Sequence, residues 1–239
     1  MSHGRGSRTF IIPTSATKSV EIQIREPALR AEGLSLATWT SSFVLASLLH
    51  RLQIDIPNRE DDHESITVLE LGAGTGLVGI TASMAWATSV VLTDLPPIVP
   101  GLAGNIALNA PLVSEHGGVI RCGTLDWNSP SALVLDGAGL SFSSARSKAA
   151  VILAADTVYS EEHPALISSV ICAWLAPGTE SRAILTYPMR VAYLDQIREL
   201  WELLQQNGLV SVEEGRQTES EEAWDDECLC EWSVWKWKE

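Results

Sequence analysis

Residues 68–77 read Val-Leu-Glu-Leu-Gly-Ala-Gly-Thr-Gly-Leu, an apolar run that passes through three alternating glycines into a helix-like segment. Glycines at such a place let the backbone approach a ligand where a Cβ would collide. The following helix N-terminus adds N–H dipoles. Two registers compete. Gly74, Gly76 and Gly79 satisfy G-x-G-x-x-G, the dinucleotide fingerprint, whose first glycine should follow the strand directly. Gly72, Gly74 and Gly76, preceded by Glu70, satisfy E-x-G-x-G-x-G, and the strand ends at Leu71. The first register also leaves Glu70, an acid at the end of a buried apolar strand, without a role. A tight turn packing helix on strand is the bland alternative. Asp94, about twenty residues on, stands where nucleotide folds bind ribose hydroxyls; a turn before Pro96-Pro97 would also use it. Leu125-Asp126-Trp127 follows the third apolar segment, where an adenine ring would lie. The Asp126 carboxylate can accept from an adenine amino group, with apolar surface beside it. Ala154-Ala155-Asp156-Thr157-Val158-Tyr159 closes the fourth segment. The chain has no Tyr-x-x-x-Lys pair and no histidine placed for hydride chemistry.

Positioning these groups requires a frame, and the hydrophobic pattern supplies one. Thr9–Ile12 and Ser19–Arg25 read as extended; in the second, Val20, Ile22 and Ile24 alternate with polar residues, which predicts a hairpin with one buried face. Thr38–Leu52 reads as a helix, and 55–65 as a charged linker. Apolar runs at Ile66–Leu71, Val90–Thr93, Val119–Leu125, Ala150–Ala155 and Arg182–Tyr187 alternate with helical patterns at Leu77–Trp86, Ile98–Asn109, Pro164–Leu175 and Val191–Asn207. Residues 128–149, rich in Ser, Ala and Gly, read as a long loop or insertion. Leu209–Glu213 and Leu229–Lys238 follow one another without a helix, so an antiparallel pair at one edge is expected. Alternating strands and helices predict an α/β doubly wound sheet, with central strands apolar throughout because both faces are covered. The expected division is an N-terminal extension over residues 1–65 (tail, hairpin, helix and linker), packed on a ligand-binding domain over 66–239.

Composition bounds the rest. Of 239 residues, 46% are hydrophobic and 19% charged, which excludes a wholly disordered chain. No run of eighteen apolar residues predicts a membrane span, and the first residues lack the apolar core of a secretory signal. The four cysteines form no CxxC pair and the five histidines never cluster, so no metal is expected. Reduced thiols point to the cytoplasm, with the nucleus also open. A net charge of −14 opposes binding to nucleic acid or anionic membrane and suits a basic partner, or serves only solubility. Glu219–Glu227 carries six acids in nine residues; it is a solvated loop or a docking surface for a basic protein segment.

Taken together, these pieces resemble the seven-β-strand S-adenosylmethionine-dependent methyltransferases, and within them the family 16 lysine methyltransferase-like group of fungal-type protein N-methyltransferases. The matching parts are Gly33, Thr38-Trp39-Thr40-Ser41-Ser42, the Glu70–Gly76 loop, Thr93-Asp94-Leu95, Asn105 and Asn109, Leu125-Asp126-Trp127, Asp156-Thr157-Val158-Tyr159 and Tyr187-Pro188-Met189-Arg190. Asp-x-x-Tyr resembles that group's (D/E)-x-x-(Y/F) signature. The resemblance implies a Rossmann-like seven-stranded sheet of order 3-2-1-4-5-7-6, strand 7 antiparallel, with helices on both faces. It implies S-adenosylmethionine as cofactor and S-adenosylhomocysteine as product. Glu70 would address the methionine amino group; Gly72, Gly74, Gly76, Asp94, Asp126, Trp127 and Ala155 would line the cofactor, and Trp39 would lie near it, although it could equally pack on Phe43. The substrate implied is a protein, basic or translation-related, and the enzyme a monomer.

The chemistry implied is methyl transfer to a lysine side chain. Free lysine titrates near ~10.4, so the amine must lose a proton before it attacks, and a low-polarity channel beside a positive sulfonium favours the neutral amine. Asp156 is the candidate to orient the amine and Tyr159 to shape the channel. A small-amine methyltransferase and a non-catalytic cofactor-binding interaction module are the alternatives. For other residues the bland reading is taken: Asn105 and Asn109 as exposed polar positions, Trp232, Trp235 and Trp237 as packing of the last strand, and Cys228-x-Cys230 as strand filler.

Overall fold

The structure is a computed structural model describing residues 6–26, 30–31, 34–56, 66–137, 139–220, 222–224 and 227–239. Gly33, most of the charged linker, and Glu221, Asp225 and Asp226 of the acidic stretch lie outside the described residues. In chain order the elements are β1 (Ser7–Pro13), β2 (Ser19–Arg25), β3 (Arg30–Ala31), β4 (Leu34–Ser35), α1 (Thr40–Leu48), β5 (Ile66–Leu71), α2 (Leu77–Ala85), β6 (Ser89–Asp94), α3 (Val99–Glu115) and β7 (Val119–Thr124). They continue with β8 (Ala132–Leu135), β9 (Ser141–Ser143), β10 (Ala149–Ala155), α4 (His163–Trp174), β11 (Arg182–Pro188), α5 (Leu194–Gln206), β12 (Leu209–Thr218) and β13 (Leu229–Trp237).

The main sheet runs β12-β13-β11-β10-β5-β6-β7-β8-β9. Strands β7, β6, β5, β10 and β11, neighbours in that order, are parallel, and β13 is antiparallel to both β11 and β12. Counting strands as the family does, seven of them stand in the expected order 3-2-1-4-5-7-6. The strand number is the correction: among the described residues the sheet has nine, because the segment expected as a loop over 128–149 forms β8 and β9, each antiparallel to its neighbour. Alternation of Leu133 and Leu135 in β8, with Phe142 in β9, buries three apolar side chains on the α4 face of the sheet. The Trp174 indole N–H donates to Pro130 O at 2.7 Å and ties the insertion down. Two further elements outrun their expected ends. Helix α3 continues past Pro111 to Glu115, holding Val113 in the core beneath the hairpin. Strand β12 continues through its polar run to Thr218, because a long β13 offers backbone partners to that point.

Strands β5 and β10 are buried along their whole length. Successive residues face opposite layers: Val68 and Leu153 meet α1, α2 and α3, while Leu69 and Ile152 meet α4 and α5. Chain order reverses between β5 and β10, and in open α/β sheets a crevice opens there, beyond the carboxyl ends of the strands. The β1–β2 hairpin adds an outer layer, with Ile12, Ile22 and Ile24 packed on Ala46, Leu77, Ile80 and Met84.

Candidate active site

The crevice at the switch point is a cavity of about 690 Å³, within the range of about 300–1,000 Å³ typical of small-ligand sites. Its floor is the loop after β5. Gly72 and Gly74 have φ of +61° and +53°, a left-handed region that glycine enters without penalty. A Cβ on Gly72 would meet the Trp127 ring at 3.0 Å, whereas one on Gly74 would find open space. The Gly74 N–H donates to Asp94 Oδ2 and the Leu95 N–H to Asp94 Oδ1, both at 2.7 Å. Burial pushes the Asp94 carboxyl above its ordinary value, and these two N–H groups partly offset it.

Nine of the eleven residues expected at the site line this cavity: Trp39, Gly72, Gly74, Asp94, Asp126, Trp127, Ala155, Asp156 and Tyr159. Glu70 and Gly76 do not. Glu70 is 2% exposed, and its Oε2 accepts the Gly79 N–H at 2.9 Å. The carboxylate anticipated for a ligand amine therefore braces the first turn of α2 from beneath. A Cβ on Gly79 would meet that oxygen at 2.5 Å, which explains the glycine that the dinucleotide register had claimed. Gly76, at φ +86°, is the N-cap of α2, and a Cβ there would strike Leu102.

Beside the glycine loop, at the end of the neighbouring strand, Asp156 also lines the cavity, itself at φ +56° after β10. Non-glycine residues rarely hold that conformation, and such strain gathers at functional sites. Both Asp156 oxygens accept from Arg190 at 2.8 Å in a bidentate pair, with the aspartate side chain 4% exposed. The guanidinium lies 5.5 Å from the Trp39 ring centroid, and Trp39 lines the cavity, while Phe43 packs with Phe10 and Trp224. Tyr159 is half-exposed; burial first, then the Asp94 and Asp156 charges, raise its phenol above the ordinary value, so it stays protonated.

His163 carried no sequence motif, yet it joins Tyr159 to Trp127. Its ring lies edge-on to Tyr159 at 4.2 Å and to Trp127 at 5.6 Å, and its Nδ1 accepts the Tyr159 N–H at 3.2 Å. Burial lowers its pKa and keeps the imidazole neutral, as the accepting Nδ1 requires. The one available signal was its place, four residues after Tyr159 at the start of a helix. Tyr193, Glu162 and Glu227 also line the cavity and were missed, since each comes from a different element. Asn105 and Asn109, expected at the surface, are buried. Their carboxamides bond the main chain of Arg25 and Gln23 as a neighbouring strand would.

A profile of the lysine methyltransferase family matches residues 16–199. The protein-lysine N-methyltransferase EFM2 of Saccharomyces cerevisiae is 33% identical over 220 residues, 86% of this chain and 49% of EFM2. The protein-lysine N-methyltransferase rrg1 of Schizosaccharomyces pombe is 31% identical over 235 residues, 93% of this chain and 69% of rrg1. This chain thus spans about half the length of EFM2. Among solved structures, magnesium protoporphyrin IX methyltransferase from Synechocystis, crystallised with S-adenosylmethionine, superposes with a TM-score of 0.55 at 18% identity, covering 83% of this chain and 80% of that one. That likeness identifies the fold as the Rossmann-like one of S-adenosylmethionine-dependent methyltransferases. A profile match over most of the sequence, on that fold, makes this chain a member of the lysine methyltransferase family.

Proposed function

We propose that this chain binds S-adenosylmethionine in the 690 Å³ cavity and methylates a lysine of a protein substrate. The observation that carries this reading is that one cavity joins the Gly72–Gly74 cradle to the Asp156–Tyr159 corner. The residues fit the cofactor: Gly74 offers an open backbone approach, Asp94 keeps spare lone pairs for two ribose hydroxyls, and Asp126 with Trp127 offers an acceptor and a flat wall for adenine. When bound, the cofactor supplies a methyl group on a positive sulfonium. Among the described residues, Asp94, Asp126, Asp156, Glu162 and Glu227 line the cavity against one guanidinium, Arg190, so its field favours cations.

The same residues define how an amine would be received. Asp156 is held by Arg190 in a bidentate pair, which fixes its geometry and weakens it as a base. It therefore orients the amine or its neighbours, while the amine's proton leaves to water at the open mouth. The neutral Tyr159 phenol can accept a hydrogen bond from the amine, and His163 fixes the Tyr159 ring by edge-on contact. Holding the amine in line with the transferring methyl supplies rate through proximity and alignment. Glu162 and Glu227 at the cavity suit a basic segment flanking the lysine, in keeping with a basic or translation-related protein substrate. The thiols of Cys122 and Cys172 suit a reducing compartment, the cytoplasm with access to the nucleus.

The test is incubation of this protein with a cell extract and radiolabelled S-adenosylmethionine. Label on a protein band, lost when the target lysine is changed to arginine, is expected. Label only in small metabolites would replace this reading with small-amine methylation. No transfer with intact cofactor binding would favour the interaction module.

A further inference from the structure

A second cleft, of about 510 Å³, lies at the opposite end of α1 from the cofactor cavity. Trp39 and Ser42, at the start of the helix, line one; Ser47 in its last turn, with His50 and Arg51 just beyond its end, lines the other. At ~1.5 Å per residue its nine residues separate the two by roughly 13 Å. The remaining walls come from the turn of the N-terminal hairpin and from Gln217 of β12. Among the described residues every titratable lining side chain is basic: Lys18, His50 and Arg51. Among the described residues no acid lines the cleft, in a chain with 30 Asp and Glu against 16 Lys and Arg.

Three further observations make this more than a scatter of surface charges. First, among the described residues the ion pairs engage Arg8, Arg190, Arg198 and Arg216, and none engages Lys18, His50 or Arg51. Second, Ser47 Oγ and His50 Nδ1 are buried without a hydrogen-bond partner, and buried polar groups are rarely left so. Third, the turn is built: the Thr14 N–H donates to Lys18 O at 2.9 Å, and the Lys18 N–H donates to Ser15 Oγ at 3.1 Å. The C-terminal dipole of α1 favours His50 and Arg51 near it, but it does not account for Lys18 or the hydroxyls gathered opposite. Like charges converging on one cleft repel, and an oxyanion between them would reverse that term.

We propose that this cleft is a binding site for a phosphate-class oxyanion, held by Lys18, His50 and Arg51 with hydroxyl and amide donors around it. The group bound is either free phosphate or the phosphoryl group of a small phosphomonoester. The site is separate from the methyl-transfer cavity and stands whether or not that reading holds.

The experiment is calorimetry of the full chain in phosphate-free buffer, with inorganic phosphate and O-phosphoserine as probes. One saturable site is expected. Lys18→Ala and Arg51→Ala should each weaken it about tenfold, as loss of one charge-assisted contact implies, and the double variant should abolish it. Both side chains are exposed, so the variants should keep the wild-type melting temperature and S-adenosylmethionine affinity. Tighter binding of O-phosphoserine would identify a phosphomonoester as the ligand; equal or weaker binding would identify phosphate itself. Absence of saturable binding of both probes, or equal weakening by Arg146→Ala at an exposed position elsewhere, would overturn the proposal.

Discussion

Glu70 and Asp94 both sit under the glycine loop, both accept backbone N–H groups, and burial pushes both carboxyls upward. Glu70 stands well above its ordinary value: burial dominates, Gly79 partly offsets it, and the Asp94 charge adds to it. The consequence for stability has a definite sign. Below the unfolded carboxyl value of about 4.3, folded and unfolded chains both hold the proton. As pH rises toward the raised folded value, the unfolded chain loses its proton first, so stability falls with rising pH. Glu70→Gln keeps an acceptor for Gly79 and removes this titration. The difference in urea midpoint between variant and wild type, without cofactor, should therefore grow in the variant's favour from about pH 5 to pH 8. A constant difference would assign the buried carboxyl no such role. Arg190 is the complementary case. Its loss leaves the Asp156 carboxylate with its bidentate donor gone, in a place 4% exposed. Arg190→Ala should lower stability by roughly 1–3 kcal/mol, read from chemical unfolding. If the proposed amine is received beside this pair, the change should also reduce methyl transfer more than cofactor affinity.

The N-terminal hairpin is joined to the glycine loop by side chains rather than by sheet pairing. Asn105 accepts the Arg25 N–H at 2.9 Å and donates to Arg25 O at 3.1 Å and to Thr75 O at 3.0 Å. Asn109 repeats the two strand-like bonds at Gln23. The buried Glu26 accepts the Thr38 N–H at 2.9 Å, and the Thr38 hydroxyl meets that of Thr75 at 3.0 Å. Trp224, within the acidic stretch, packs on Phe10 and Phe43 and lies under Arg8. That stretch is thus anchored at its middle instead of being a wholly solvated loop. Asn105→Ala removes three bonds, at about 1 kcal/mol each. It should cost roughly 2–3 kcal/mol and speed hydrogen exchange in both the hairpin and the glycine loop. Fast exchange confined to the hairpin would show that the loop is held independently. These elements also mark how far the sequence could be read. The glycine loop, Asp94, Asp126-Trp127 and Asp156–Tyr159 were legible because each is a short motif at the end of an apolar run. Asn105 and Asn109 were not, because helical periodicity cannot show which strand edge will lie across them. Strands β8 and β9 were hidden by shortness: three apolar anchors in a Ser- and Gly-rich segment give too little alternation to distinguish strand from loop.

At the scale of the molecule, the parallel sheet, its reversal between β5 and β10 and the two helix layers leave one large cavity at the carboxyl ends of the strands. Fold class and strand order followed from the succession of apolar runs together with the family resemblance. His163, Tyr193, Glu162 and Glu227 did not, because only tertiary packing brings them to the same opening. The acidic lining of that opening belongs to a chain of net charge −14, so the molecule as a whole draws cations inward and the small basic cleft beyond α1 is a local exception. The proposed function requires the cavity to be a cofactor site in which the acceptor amine and the adenosine take different walls. Calorimetric titration of S-adenosylmethionine into wild type, Gly74→Val, Asp94→Ala and Tyr159→Phe tests this most directly. One site is predicted, weakened at least about tenfold by the first two changes through loss of backbone approach and of a charged acceptor, and unchanged by the third. No saturable binding, or tight binding of a nicotinamide dinucleotide in its place, would contradict it.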